Sequence, residues 1–262
     1  MNANIPSGLE NSTVGKLAVV TGASSGIGQA IALELARAGA TLLLHGNRNL
    51  AGLQATRAKV AALGASAEVV QFNLAELAAH DLLVQSAADW AARQGKPLSI
   101  WVNNAGADVL TGDVAGWSFE QKLELLWQVD VTATLRLTRL AGRLMQASGG
   151  AIVNIGWDQA EVGMAGDSGE LFAATKGAIM AFTRSAAHSL APQVRVNCVA
   201  PGWIKTKWGD KASDYWQQRA QIESLLNRWG TPEDVAQAVH FLASPASGFI
   251  TGHVLPVNGG LR

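Results

Sequence analysis

From Lys16 onward, short apolar runs alternate with longer amphipathic stretches. The runs fall near 17–21, 41–45, 67–72, 98–103, 150–155, 194–199 and 253–257. Short, nearly continuous apolar runs suit strands covered on both faces, whereas the stretches between most of them carry helical spacing. Strands that mostly alternate with helices predict an α/β fold, a parallel sheet of about seven strands with helices on both faces. The stretch 116–147 is long enough for a continuous helix or a bent pair, and 171–190 carries a second, Ala-rich helix; both have the character of packing surfaces. Residues 1–14 are polar, rich in Asn and Ser and without periodicity, which predicts a flexible leader ahead of one domain over 15–262.

Composition narrows the functional classes. Hydrophobic residues make up 48% of the 262 positions, enough for a large core, and Lys+Arg and Asp+Glu number 20 each. A chain with no net field is a poor partner for nucleic acid or an anionic membrane. Cys198, the one cysteine, lies in an apolar run and cannot form an internal disulfide. No stretch approaches the roughly 18 apolar residues of a membrane span, and no basic segment precedes an apolar run at the start. A cytoplasmic protein is therefore expected. His188 and His240 have no partner at metal-ligand spacing, so no metal is expected.

The chemistry concentrates where the first run ends. It passes into Thr21-Gly22-Ala23-Ser24-Ser25-Gly26-Ile27-Gly28, followed by a helical pattern from Gln29 to Ala38. Glycines let backbone approach a pyrophosphate, and free amides at a helix start face the anion. The spacing resembles TGxxxGxG of the short-chain dehydrogenase/reductase family, and the resemblance runs along nearly the whole chain. Asn103-Asn104-Ala105-Gly106 follows the fourth run, Pro201-Gly202 the sixth, Gly230-Thr231-Pro232 opens a late helix, and Asn258-Gly259-Gly260 stands near the end. The resemblance implies a Rossmann-type, doubly wound sheet with a nicotinamide dinucleotide across its C-terminal edge. It implies Gly22, Ser24, Ser25, Gly26, Ile27 and Gly28 at the pyrophosphate, and Asn104, Ala105 and Gly106 beside the ribose. It also places Lys176, Pro201, Gly202, Ile204 and Thr206 along the nicotinamide half, and Asn73 near the adenine. No Asp or Glu occurs between Glu34 and Glu68, while several basic residues do. An acid at the end of the second strand would favour NAD(H) and repel the extra phosphate. NADP(H) is therefore expected over NAD(H), with Arg48 as first choice for the phosphate; the alternative for Arg48 is a solvated helix-start side chain.

The family's proton-transfer residues are a Tyr four positions before a Lys, a Ser at the exit of the fifth strand and an Asn on the long helix. Lys176 is retained here, but its tyrosine position is Phe172, the serine position is Trp157 and the asparagine position is Asp130. Tyr215 is the only tyrosine of the chain. Three readings follow. The protein is an oxidoreductase with a replacement acid, drawn from Asp158, Glu161, Asp167, Glu170 or Tyr215; or it binds cofactor without turnover, as a sensor or partner subunit; or it performs non-redox chemistry in the same cleft. Asp130 and Lys176, of opposite charge, are expected to form a close pair. By the same resemblance Trp157, Phe172, Trp203, Trp208 and Trp216 surround the cleft, either to stack a small apolar or aromatic substrate or to fill its space. A homo-tetramer or homo-dimer through the long helices and last strand is implied as well.

Overall fold

The computed structural model describes residues 12–210 and 212–261, and the Trp208 side chain is outside its described part. The elements alternate as β1 (Leu17–Val20), α1 (Gly26–Arg37), β2 (Thr41–Gly46), α2 (Leu50–Ala62), β3 (Ala67–Gln71), α3 (Leu77–Arg93) and β4 (Leu98–Asn103). Then come α4 (Phe119–Leu126), α5 (Ala133–Met145), β5 (Gly150–Ile155), α6 (Asp167–Leu190) and β6 (Val194–Pro201). The short α7 (Lys207–Asp210), α8 (Asp214–Glu223), α9 (Pro232–Ala243) and β7 (Val254–Val257) complete the order. All seven strands pair in parallel as β3-β2-β1-β4-β5-β6-β7. The order reverses between β1 and β4, and the crevice beyond the carboxyl ends of such a pair is where open α/β sheets bind ligands.

Period-two alternation sends each strand's side chains to two separate cores. Ala18, Val20, Leu42, Leu44 and Val102 pack with α1, α2 and α9, whereas Leu17, Val19, Leu43, Trp101 and Val196 pack with α3, α5 and α6. The start of α9 is fixed by a capping box between Thr231 and Asp234, with Pro232 in its first turn. That accounts for the acidic residues there as structural.

Two boundaries differ from the sequence expectation, and one stretch takes the second of the two forms expected of it. The leader expected over 1–14 reaches too far: residues 1–11 lie outside the described residues, but Ser12 and Thr13 are packed. Thr13 is buried, and its amide and hydroxyl both donate to Ala38 O, at 3.2 and 2.9 Å. The stretch 116–147 is α4 and α5 joined by a wide helical turn, Trp127–Thr132, which carries Asp130. The helix expected at 171–190 begins at Asp167, just after Gly166, whose φ of 92° favours glycine.

Four polar side chains are buried between the sheet and α5 and α6. Asn103 Nδ2 donates to Asn154 Oδ1 at 2.9 Å and to Thr138 Oγ1 at 3.0 Å, Asn154 Nδ2 donates to Thr183 Oγ1 at 3.0 Å, and Trp101 Nε1 donates to Asn103 Oδ1 at 2.8 Å. A closed network satisfies each group, and opening it strands several at once. Asn154→Ala is accordingly expected to lower unfolding free energy by about 2–3 kcal/mol in urea titrations, counting one stranded buried partner at about 1–3 kcal/mol.

Candidate active site

The β1–α1 turn is built for close approach. Gly22 and Gly26 have φ of 67° and 54°. A Cβ on Gly28 would stand 2.2 Å from Gly22 O, and one on Gly22 2.8 Å from Ala105 Cα. Only glycine fits these positions. Ser25 precedes the first turn of α1 without capping it, and neither Ser24 nor Ser25 spends its hydroxyl in a hydrogen bond among the described residues. The helix N-terminus thus presents free donors to an anion. Thr21 joins this turn to the β4 exit: its hydroxyl donates to Val102 O and accepts from the amides of Asn104 at 2.9 Å and Ala105 at 3.0 Å. Asn104 Nδ2 returns a bond to Thr21 O at 3.0 Å. From above, Thr206 Cγ2 comes within 3.8 Å of where a Gly26 Cβ would stand. Buried Ile204 anchors this segment through its bridge to Gly230.

The basic residues that flank β2 in the sequence separate by environment. Arg37 pairs with Glu34, Lys59 donates to Gln29, and burial pushes the His45 imidazole down to about 4, so it is neutral at pH 7. Arg48 is exposed, and its side chain makes no hydrogen bond or ion pair among the described residues. The side chain of Asn73 is committed locally, donating to Glu76 at 2.9 Å and accepting from the Ala75 amide at 3.2 Å.

The expected pair between Asp130 and Lys176 is present, with Oδ2 and Nζ 2.7 Å apart and side chains 2% and 14% exposed. The other carboxylate oxygen accepts from the Ala107 amide at 2.8 Å. A Cβ on Gly106 would meet Asp130 Oδ2 at 2.9 Å, so glycine there lets the carboxylate approach. Phe172, one helical turn before Lys176, packs edge-on to Trp157 with centroids 6.1 Å apart.

Among the acids around this wall, Asp158 differs from the rest. Glu161, Asp167 and Glu170 are exposed, and Tyr215 is largely exposed against Trp216. Asp158 is 6% exposed, accepts from the Gln159 amide at 2.7 Å and Asn258 Nδ2 at 3.1 Å, and stands 3.0 Å from where a Gly202 Cβ would project. Burial pushes its carboxyl up to about 6 against the opposing hydrogen bonds from Asn258 and the backbone. Gly202 therefore borders this carboxyl. The remaining aromatics form a second group: Trp203 lies 5.5 Å from Trp216 and 6.1 Å from Trp229, donates to Glu223 at 2.7 Å, and is covered by the Arg219 guanidinium. The cleft wall expected from the sequence is thus two clusters, the second bonded to α8.

The family described as enoyl-(acyl carrier protein) reductase matches residues 22–262. The chain belongs to the short-chain dehydrogenase/reductase family. It is 36% identical to nodulation protein G of a Rhizobium species over 94% of this chain and 97% of that one. It is 34% identical to 3-oxoacyl-(acyl-carrier-protein) reductase FabG of Aquifex aeolicus, again over 94% and 97%. A solved structure described as a putative NAD(P)-dependent gluconate 5-dehydrogenase from Beutenbergia cavernae, with bound NADP at low occupancy, superposes with a TM-score of 0.83. It is 34% identical and the match covers 95% of this chain and 97% of that one. Members of this short-chain dehydrogenase/reductase family bind NAD(P), and the side-chain-free cradle at Gly22 and Gly28 fits a dinucleotide pyrophosphate.

Sequence reasoning missed two contributors. Thr21 was legible only as part of the turn, and Asn258 only as part of a terminal motif; their partners, Asn104 and Asp158, are distant in sequence. No described helix is long and apolar enough to cross a membrane, and no metal-holding His/Cys/Asp/Glu group occurs among the described residues.

Removing one partner of a buried ion pair leaves an uncompensated charge and costs about 3–5 kcal/mol. Lys176→Met is expected to destabilise the fold by that amount. Asp130→Asn keeps an acceptor for the Ala107 amide and should cost clearly less. Chemical denaturation of both variants checks this order.

Proposed function

We propose that the chain is an NADP(H)-dependent oxidoreductase acting on a small carbonyl or alcohol with an apolar or aromatic body, with Asp158 as its proton donor and acceptor. The observation that carries the reading is the position of Asp158: a buried carboxyl next to Trp157 and against Gly202, at the C-terminal edge of the sheet. Phe172 stands at the family's tyrosine position and has no proton to give, while Trp157 occupies the serine position. The bound dinucleotide supplies or takes the hydride. Reduction of a carbonyl by hydride leaves an alkoxide that needs one proton, which the neutral Asp158 carboxyl donates; oxidation of the alcohol runs the same transfer backwards. Lys176, closed on Asp130, serves as a positioned cation toward the ribose, and the edge of the Trp157–Phe172 pair receives the apolar part of the substrate. The preference for NADP(H) rests on the acid-free stretch after Glu34 and on uncommitted Arg48. The functional form we infer is a cytoplasmic homo-dimer or homo-tetramer using α5, α6 and the β7 edge.

Fluorescence titration should show NADPH binding more tightly than NADH. Arg48→Ala should weaken NADPH alone by about tenfold or more, the worth of a charge-assisted phosphate contact of roughly 1.5–3 kcal/mol. Equal affinities in the unaltered protein reject the phosphate assignment.

The raised Asp158 pKa fixes the sign of the pH profile. Its acid form predominates below about 6, so kcat/KM for reduction is expected to fall as pH rises through that value, and alcohol oxidation to rise. Asp158→Asn should lose about 10²–10⁴-fold of either activity together with that inflection. A brisk wild-type turnover left intact by Asp158→Asn rejects the role. Tight NADPH binding without turnover on a ketone and aldehyde panel favours cofactor binding without catalysis.

A further inference from the structure

At the opposite edge of the sheet, where the strands begin, three residues from distant parts of the chain meet. Ser12 Oγ lies 2.7 Å from His240 Nε2, and His240 Nδ1 lies 3.1 Å from Glu34 Oε1. His240 and Glu34, on α9 and α1, are buried, whereas Ser12 is half-exposed. The hydrogen bond from His240 is the largest influence holding the Glu34 carboxyl below its ordinary value, and Arg37 adds to it. An ionised carboxylate only accepts, so His240 Nδ1 must carry a hydrogen. In the neutral imidazole that leaves the Nε2 lone pair facing Ser12, whose hydroxyl is then the donor. Nucleophile, base and orienting acid are thus arranged in the order that activates a serine, a constellation recognised by geometry rather than by fold or chain position.

Ser12 also faces space. It lines a cavity of about 360 Å³ between the starts of β1, β5 and β6, with His240 behind it. Lys16 and Arg195 line the same cavity, and among the described residues no Asp or Glu does. Arg195 donates to the carbonyl oxygens of Leu242, Ser244 and Ile250, whereas the Lys16 ammonium makes no hydrogen bond or ion pair among the described residues. Its charge is available to an oxyanion or an anionic substituent.

We propose that Ser12 is a second reactive site of this chain, a nucleophile activated by His240 and Glu34 that is acylated by small activated esters, preferentially those bearing an anionic group. Ser12 Oγ bonds to the acyl carbon as its proton passes to His240 Nε2. The ester C–O bond then breaks, and the departing alcohol takes that proton, leaving acyl-Ser12. No oxidant or reductant is involved, and the site stands apart from the dinucleotide cradle, so neither reading depends on the other.

The test is rapid mixing of the full chain with 4-nitrophenyl acetate and with mono-4-nitrophenyl succinate, followed by peptide mass spectrometry. A burst of one nitrophenolate per chain is expected, with the acyl group on Ser12 and a several-fold faster burst for the succinate at low salt. Ser12→Ala should abolish the burst while leaving NADPH binding and the melting curve unchanged. His240→Gln should slow it by about 100-fold or more, the lower end of what a positioned base contributes. Where His240→Gln fails to fold, Ser12→Ala, which removes one hydroxyl, decides alone. A folded wild-type protein without a burst, a burst that survives Ser12→Ala, or acyl groups found only on amines overturns the proposal and leaves the three residues as a clasp between α1 and α9. Equal rates for the two esters overturn the anionic preference.

Discussion

A carboxylate with 2% exposure is costly to bury without partners, and Asp130 obtains them from two directions. The wide helical turn between α4 and α5 brings it to the β4 exit, where Ala107 offers an amide and Gly106 offers room. Lys176 arrives from α6. Satisfying one charge therefore sets the relative positions of the long helix pair, the Asn103–Gly106 segment and α6. These are the elements that border the nicotinamide half of a dinucleotide in the proposed reading. The same requirement limits Lys176, since an ammonium closed on a carboxylate is a fixed cation rather than a free one.

Beneath this pair the Asn103–Asn154–Thr138–Thr183 network applies the same rule to neutral groups, tying β4 and β5 to both helices. Above it, Thr21 uses one hydroxyl to lock the glycine turn against the β4 exit. The crevice at the strand-order reversal is consequently hydrogen-bonded on both sides. Trp203 and α8 are instead held by the half-buried Trp203–Glu223–Arg219 contacts and by the rings of Trp216 and Trp229.

Buried carboxyls occur on both edges of the sheet, and their surroundings assign them different work. Asp158 is 6% exposed, and burial outweighs its hydrogen bonds to favour the neutral, proton-carrying form. Glu34 faces His240 and Arg37, which favour the charged form. Environment, not residue type, separates an acid from an orienting anion.

The sequence by itself determined the parallel α/β architecture, because strands covered on both faces must be apolar throughout and helices between them must be amphipathic. It determined the glycine turn as well, since positive φ and a 2.2 Å approach leave glycine no substitute. Opposite charges at 130 and 176 were also enough to anticipate their pairing, given the family's arrangement. Only the tertiary structure decided which loop carboxyl is buried, because Asp158 and Glu161 differ in what the chain folds over them, namely Asn258 and Gly202 against open solvent. It alone packed Ser12 and Thr13, which read locally as polar leader, and joined Ser12 to residues 22 and 228 positions away. Periodicity is written in neighbouring residues, whereas burial and hydrogen-bond partners are conferred by segments that meet only once the sheet has formed.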